Sequence, residues 1–128
     1  MPRARAIVAA ENATCAILDN DKVKCWGQNG SGQLGDGTTM SSKTAVTVKG
    51  LTGRVAAIAT GVGTFHTCVL TTSGTVECWG NNENGELGNG LNTNSSAPVL
   101  ALGAFSGMAA IATGYSYTCA LTTAGGLK

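Results

Sequence analysis

The chain runs in short stretches where small or branched apolar residues alternate with polar ones, each stretch closed by Gly, Asn, Asp or Ser. A period of two predicts β-strands, and nowhere does the three-and-four spacing of an amphipathic helix persist. In the middle of the chain the expected strands are 55–60 (VAAIAT), 67–70 (TCVL), 75–79 (TVECW) and 98–102 (PVLAL). The turn TTSG at 71–74 and the DND at 19–21 each join a second strand to a third, with Gly74 supplying positive φ. AIVAA, at 6–10, reads as the first strand of all.

The alternation is itself repeated. Thr-Cys recurs at Cys15, Cys68 and Cys119, a period of about 52 residues, which exceeds that of helical repeats and falls in the range of propeller blades. The expectation is an all-β fold of four-stranded antiparallel β-propeller blades, incomplete within one chain. Repeat 1 spans 1–53, repeat 2 spans 54–106, and a truncated repeat 3 spans 107–128. Alanine-rich first strands, with Ala56, Ala57 and Ala59 in one copy and Ala109, Ala110 and Ala112 in the next, suit the crowded inner position of a blade.

Lys128 aligns with Lys24 and Glu77, so the third copy stops just before its Cys-Trp-Gly. An arc of blades exposes an edge at each end. Three readings follow: a piece of a longer propeller, a chain that completes a propeller by self-association, or an arc packed some other way. Self-association is the expectation carried forward, with no copy number fixed.

CWGQNGSGQLGDG from Cys25 and CWGNNENGELGNG from Cys78 follow the third strand of each full copy. A phosphate-cradling loop would need a following Lys-Ser/Thr and a helix N-terminus, and neither is predicted here. Leu34 and Leu87 are the only large apolar residues beyond the Trp in these phrases, which suits plugs between blades. Trp26 and Trp79 hold matched positions, as packing aromatics do.

Charge adds exclusions. The formal net charge is +1, and seven of the eight basic residues lie in 1–54, interspersed with Glu11, Asp19, Asp21 and Asp36. A nucleic-acid surface needs clustered cations, so no nucleic-acid partner is expected. No apolar run approaches a membrane span, and no membrane partner is expected.

Cys15 and Cys25 are ten residues apart, as are Cys68 and Cys78, each pair flanking a hairpin turn that sets its members opposite one another. Two readings stay open: cross-strand disulfides, or buried thiols filling a blade core. Cys119 has no mate and is expected to be unpaired. Zinc is not expected, because the spacing is not that of a Cys-x₂-Cys knuckle and His66 is the single histidine. Alternation places His66 and Cys68 on one face, yet Ala13 and Tyr117 replace the histidine in the other copies and no orienting group stands nearby. His66 is therefore read as structural and no catalytic residue is assigned.

The stretch HTCVLTTSGTVECWGNNENGELGNG, residues 66–90, resembles the repeat of the regulator of chromosome condensation family. That repeat has a His/Tyr-Thr-Cys-Ala-Leu strand, then Gly-x-Val-x-Cys-Trp-Gly, then Asn-x-x-Gly-Gln-Leu-Gly. The likeness covers essentially the whole chain in three copies, the first departing with Glu11-Asn12-Ala13-Thr14-Cys15. It implies a seven-bladed propeller, with Trp26, Gly27, Leu34, Gly35, His66, Trp79, Gly80, Leu87 and Gly88 as structural motif residues. The family's founding member is a nucleotide-exchange factor for a small GTPase that also binds histones, and a bacterial relative caps β-lactamase active sites. Such activities belong to loops that differ between blades, so no functional residue is carried over.

The functional expectation is a non-enzymatic protein-interaction module with no cofactor, an unknown protein partner and a tendency to form homo-oligomers. A lyase or hydrolase with a central-channel site is the rival, and it would need polar inner strands where AIVAA and VAAIAT stand. A structural fragment without a partner is the third reading. Disulfides would go with a secreted or periplasmic location, and free thiols with a cytoplasmic one.

Overall fold

Ten strands form three antiparallel sheets in the computed structural model, which describes residues 2–60, 63, 65–102 and 107–128. The first blade holds β1 (Ala4–Ala9), β2 (Ala13–Leu18), β3 (Val23–Gly27) and β4 (Ser42–Thr47), hydrogen-bonded in that order. The second repeats it with β5 (Val55–Ala59), β6 (His66–Thr71), β7 (Val76–Gly80) and β8 (Ser95–Leu100). The third sheet pairs β9 (Met108–Gly114) with β10 (Tyr117–Thr122). Beside it, Lys128 and Ala120 exchange two backbone hydrogen bonds of 2.8 and 2.9 Å, the start of a further ladder. No helix occurs among the described residues, hence none long and apolar enough to cross a membrane. The sheets do not close on one another, so the architecture is an incomplete β-propeller.

The hairpin between second and third strands demands the same backbone in every copy. Gly74 and Gly125 take φ of 83° and 88° there, and Asp21 takes the position at 64°. Asp21 is the only residue other than glycine with positive φ among those described. Its carboxylate earns the strained conformation a use, because it meets Arg5 at 3.1 Å and Arg54 at 3.3 Å. Arg5 is itself the unpaired residue of a bulge between Ala4 and Ala6 in β1, which turns its side chain to reach both Asp21 and the carbonyl of Val55 in the next blade.

The outer strand departs from expectation. β8 runs Ser95–Leu100 rather than 98–102, because the ladder to β7 jumps from Cys78↔Val99 to Gly80↔Ser95. Pro98 falls inside that irregular stretch of an edge strand, where a missing N–H does no harm. The first blade makes the same jump, from Cys25↔Val46 to Gly27↔Ser42, with Ala45 in place of the proline. The bulge therefore belongs to the repeat, and Pro98 is merely tolerated by it.

The cores lie between blades. One joins Ile17, Val23, Leu34 and Val48 of the first blade to Val55, Val69 and Trp79 of the second. Another joins Leu70, Val76 and Leu87 of the second to Met108 and Ala120 of the third. Alternation along β6 and β7 sends successive side chains to opposite joints, so every residue of both strands is buried.

Candidate protein-interaction site

Each long loop after Cys-Trp-Gly is organised by one buried asparagine. Asn29 donates from Nδ2 to the carbonyls of Thr38 (2.9 Å) and Met40 (3.0 Å) and to Asp36 Oδ1 (3.3 Å), while its Oδ1 accepts the N–H of Leu34 at 2.8 Å. Asn82 repeats the pattern with Leu91 O (2.9 Å), Thr93 O (3.1 Å), Asn89 Oδ1 (3.1 Å) and the N–H of Leu87 (2.9 Å). These bonds tie both ends of the loop to its middle and drive the leucine inward. Leu34 and Leu87 are both fully buried, each within a core shared by two blades.

At the first joint, Trp79 of β7 covers the loop of the preceding blade. Its indole N–H donates to the Gln33 carbonyl at 2.8 Å, and the ring is fully buried. Gly35 must lack a side chain, since a Cβ there would stand 2.8 Å from Trp79 Nε1 and its φ is +69°. Gly27 and Gly80 end β3 and β7 with positive φ, and a Cβ on either would strike the backbone of Asn12 or Phe65. Trp26, the counterpart of Trp79, has no described blade before it and is only half-buried.

At the second joint no described residue occupies the same seat. Gly88, the counterpart of Gly35, would meet only Ala101 Cβ at 3.6 Å, and a Cβ on Gly85 would meet nothing within 4 Å. By contrast, Gly32, the first-joint counterpart of Gly85, faces Ser96 Cα at 2.6 Å. A groove of about 220 Å³ occupies the space, lined by Leu87, Gly88, Ala101, Tyr117, Thr118 and Ala120 among others. The Glu86 carbonyl, placed as Gln33's is, accepts instead from the Thr118 hydroxyl at 2.8 Å.

That bond settles the tautomer of His66. Thr118 has a single hydroxyl proton, given to Glu86, so its oxygen accepts from Nε2–H of His66 at 3.0 Å. His66 is buried, and desolvation holds its pKa below the ordinary histidine value against the opposing pull of the Glu86 carboxylate. The histidine thus bridges two blades as a neutral donor. Cys68, two residues on, is joined to Cys78 across β6 and β7, as Cys15 is to Cys25 across β2 and β3, with Cα separations of 4.1 Å. Tied in this way, Cys68 has no thiolate to offer a substrate. Cys119 is a free, half-buried thiol. No group of three His, Cys, Asp or Glu side chains able to hold a metal occurs among the described residues.

Sequence reasoning missed a second groove, of about 250 Å³, at the loop end of this joint. Phe65, Tyr115, Glu83 and Glu86 line it, with Tyr115 70% exposed and Glu86 buried. Its aromatic residues precede the Thr-Cys strands and its carboxylates follow Cys-Trp-Gly, so no contiguous motif announces it.

The regulator of chromosome condensation (RCC1) repeat model matches residues 20–70 and 73–121, and a second model of the same repeat matches 5–33 and 55–86. Among curated proteins, the chain is 38% identical over 79 residues to the protein RCC2 homolog of Danio rerio, covering 62% of this chain and 16% of that one. It is 36% identical over 109 residues to the ultraviolet-B receptor UVR8 of Arabidopsis thaliana, covering 83% of this chain and 24% of the receptor. Human WBSCR16 superposes with a TM-score of 0.87 at 18% identity, over 98% of this chain and 32% of that chain. Yeast RCC1 (Prp20), in its complex with Kap60, gives 0.79 at 19% identity, over 97% and 31%. The chain thus spans about a third or less of the proteins it matches.

Proposed function

The chain belongs to the regulator of chromosome condensation (RCC1) repeat family, and on that premise we propose that it is a non-enzymatic protein-interaction module whose blades hold up loops that grip a protein partner. The groove of Phe65, Tyr115, Glu83 and Glu86 carries this reading. An exposed tyrosine beside carboxylates suits a lysine or arginine of the partner, which gains from the ring face and the negative charge together. That a structural neighbour was solved bound to a protein, Kap60, adds support from the fold.

An array of short peptides, basic and neutral, probed with the chain and with Tyr115→Ala and Glu83→Lys, tests it. Retention of basic peptides by the native chain, lost in both variants, is expected. Equal retention by all three proteins overturns the reading.

Self-association is a second reading, favoured by the outward side of the first blade. There Ile7 is 64% exposed on β1 and Trp26 only half-buried on β3, so a second copy would cover apolar surface. Light scattering across a concentration series checks it, and a monomer throughout overturns it.

A further inference from the structure

Resting on the reading of the loop groove as a grip for a basic side chain, we propose that the site continues past the groove's rim to Glu11 of the first blade. Its occupant is an extended segment of a partner carrying two basic residues. Tyr115 seats its ring against the backbone of Gly63, where a Cβ would stand 2.6 Å from Cδ2 and 2.7 Å from Cε2. The same Cβ would lie 3.8 Å from Glu11 Oε2, so the carboxylate reaches the spot where the ring is seated. Gly63 has a φ of 76°, and a bare left-handed glycine lets ring and carboxylate come together there. Glu83 and Glu86 line the groove from the second blade's loop, whereas Glu11 stands outside its lining. Carboxylates of the first and second blades thus surround a tyrosine supplied by the third.

The chain supplies no cation to these carboxylates. Among the described residues the ion pairs are those of Arg5 and Arg54 with Asp21, in the hairpin at the far end of β2 from Glu11. Residues 55–127 contain neither Lys nor Arg. Glu86 is already engaged by Asn84, whose backbone N–H and Nδ2 donate to it at 2.9 and 3.4 Å. That leaves Glu83 and Glu11, both exposed, as the carboxylates open to a partner. The first joint has no such set, since Asn12, Gly30 and Gln33 stand where Phe65, Glu83 and Glu86 do. In an extended segment, side chains two residues apart point the same way and lie about 7 Å apart. One arginine therefore lies on the Tyr115 ring toward Glu83, and the next but one turns to Glu11. Arginine suits both places, because its planar guanidinium stacks on a ring and pairs with a carboxylate.

Two peptides, Gly-Gly-Arg-Gly-Arg-Gly-Gly and the same sequence with Gln for its second Arg, are titrated into the whole chain at low ionic strength and followed by NMR chemical shifts. The two-arginine peptide should bind about two- to fivefold more tightly, the gain of one exposed charge pair. That gain should shrink as salt is raised. Glu11→Gln should erase the difference by weakening the two-arginine peptide alone, and because Glu11 is exposed the variant keeps its fold. Tyr115→Ala should weaken both peptides. Equal affinities for the native chain, or an advantage that survives Glu11→Gln, overturns the proposal and leaves the loop groove standing. If the native chain binds neither peptide, or Tyr115→Ala weakens neither, the reading of the groove falls and the proposal falls with it.

Discussion

The two joints use the same leucine, the same asparagine-tied loop and the same loop carbonyl, yet differ in what lies over them. At the first, Trp79 closes the space over Leu34 and takes the Gln33 carbonyl. At the second, Thr118 takes the Glu86 carbonyl, His66 braces Thr118, and a groove stays open over Leu87. The asparagine-tied loop and its buried leucine are built alike at both joints, and at the first the indole adds a fully buried cover.

The sharpest way to break the contrast is Trp79→Ala. It removes a fully buried ring and should cost about 3–5 kcal/mol, whereas Trp26→Ala, half-buried, should cost about 1 kcal/mol. Urea unfolding midpoints compare them, and similar losses would mean that burial of Trp79 at the first joint adds nothing over the half-buried Trp26. Next comes the plug. Leu34→Ala should destabilise by about 3–5 kcal/mol, and Leu87→Ala by about 2–3, because the wall beside Leu87 already opens into a groove and leaves less cavity to create.

Asn29→Ala and Asn82→Ala should be nearly equal, at about 1–3 kcal/mol, since both loops make the same bonds whatever covers them. A large difference between the two would tie the loops to the covering blade.

The smallest expected effect is with pH. His66 is held below its ordinary pKa in the folded chain, so the unfolded chain binds more protons near and below about pH 6.5. The histidine's full stabilising contribution is present above that pH and declines as the pH falls. Melting temperatures at pH 8 and pH 5 should therefore spread further for the native chain than for His66→Gln. An equal spread would remove His66 from the second joint's energetics.

Most of the strands were legible in the sequence because each full blade pairs a period of two with a fixed turn position. Asp21 shows where the code was degenerate, since a carboxylate fills a site that Gly74 and Gly125 hold elsewhere. β8 was misplaced because an edge strand is specified on one side only, and its Ser-Ser start looks like loop. Asn29 and Asn82 passed unremarked beside the glycines. They occupy the same place in both loops and are fully buried, and a polar residue recurring next to a leucine plug was the available signal. The loop groove could not be read at all, because Phe65, Glu83 and Tyr115 meet only when two blades do.

At each loop a main-chain oxygen, that of Gln33 or of Glu86, accepts a hydrogen bond from the following blade. Gln33 and Glu86 both turn their side chains back onto their own loops, to the N–H groups of Ser31 and Asn84. The carbonyl they present is chemically the same in either case, and an indole or a hydroxyl satisfies it equally. At that one position the seam therefore accepts either donor, because a main-chain acceptor does not change when the loop residue's side chain does.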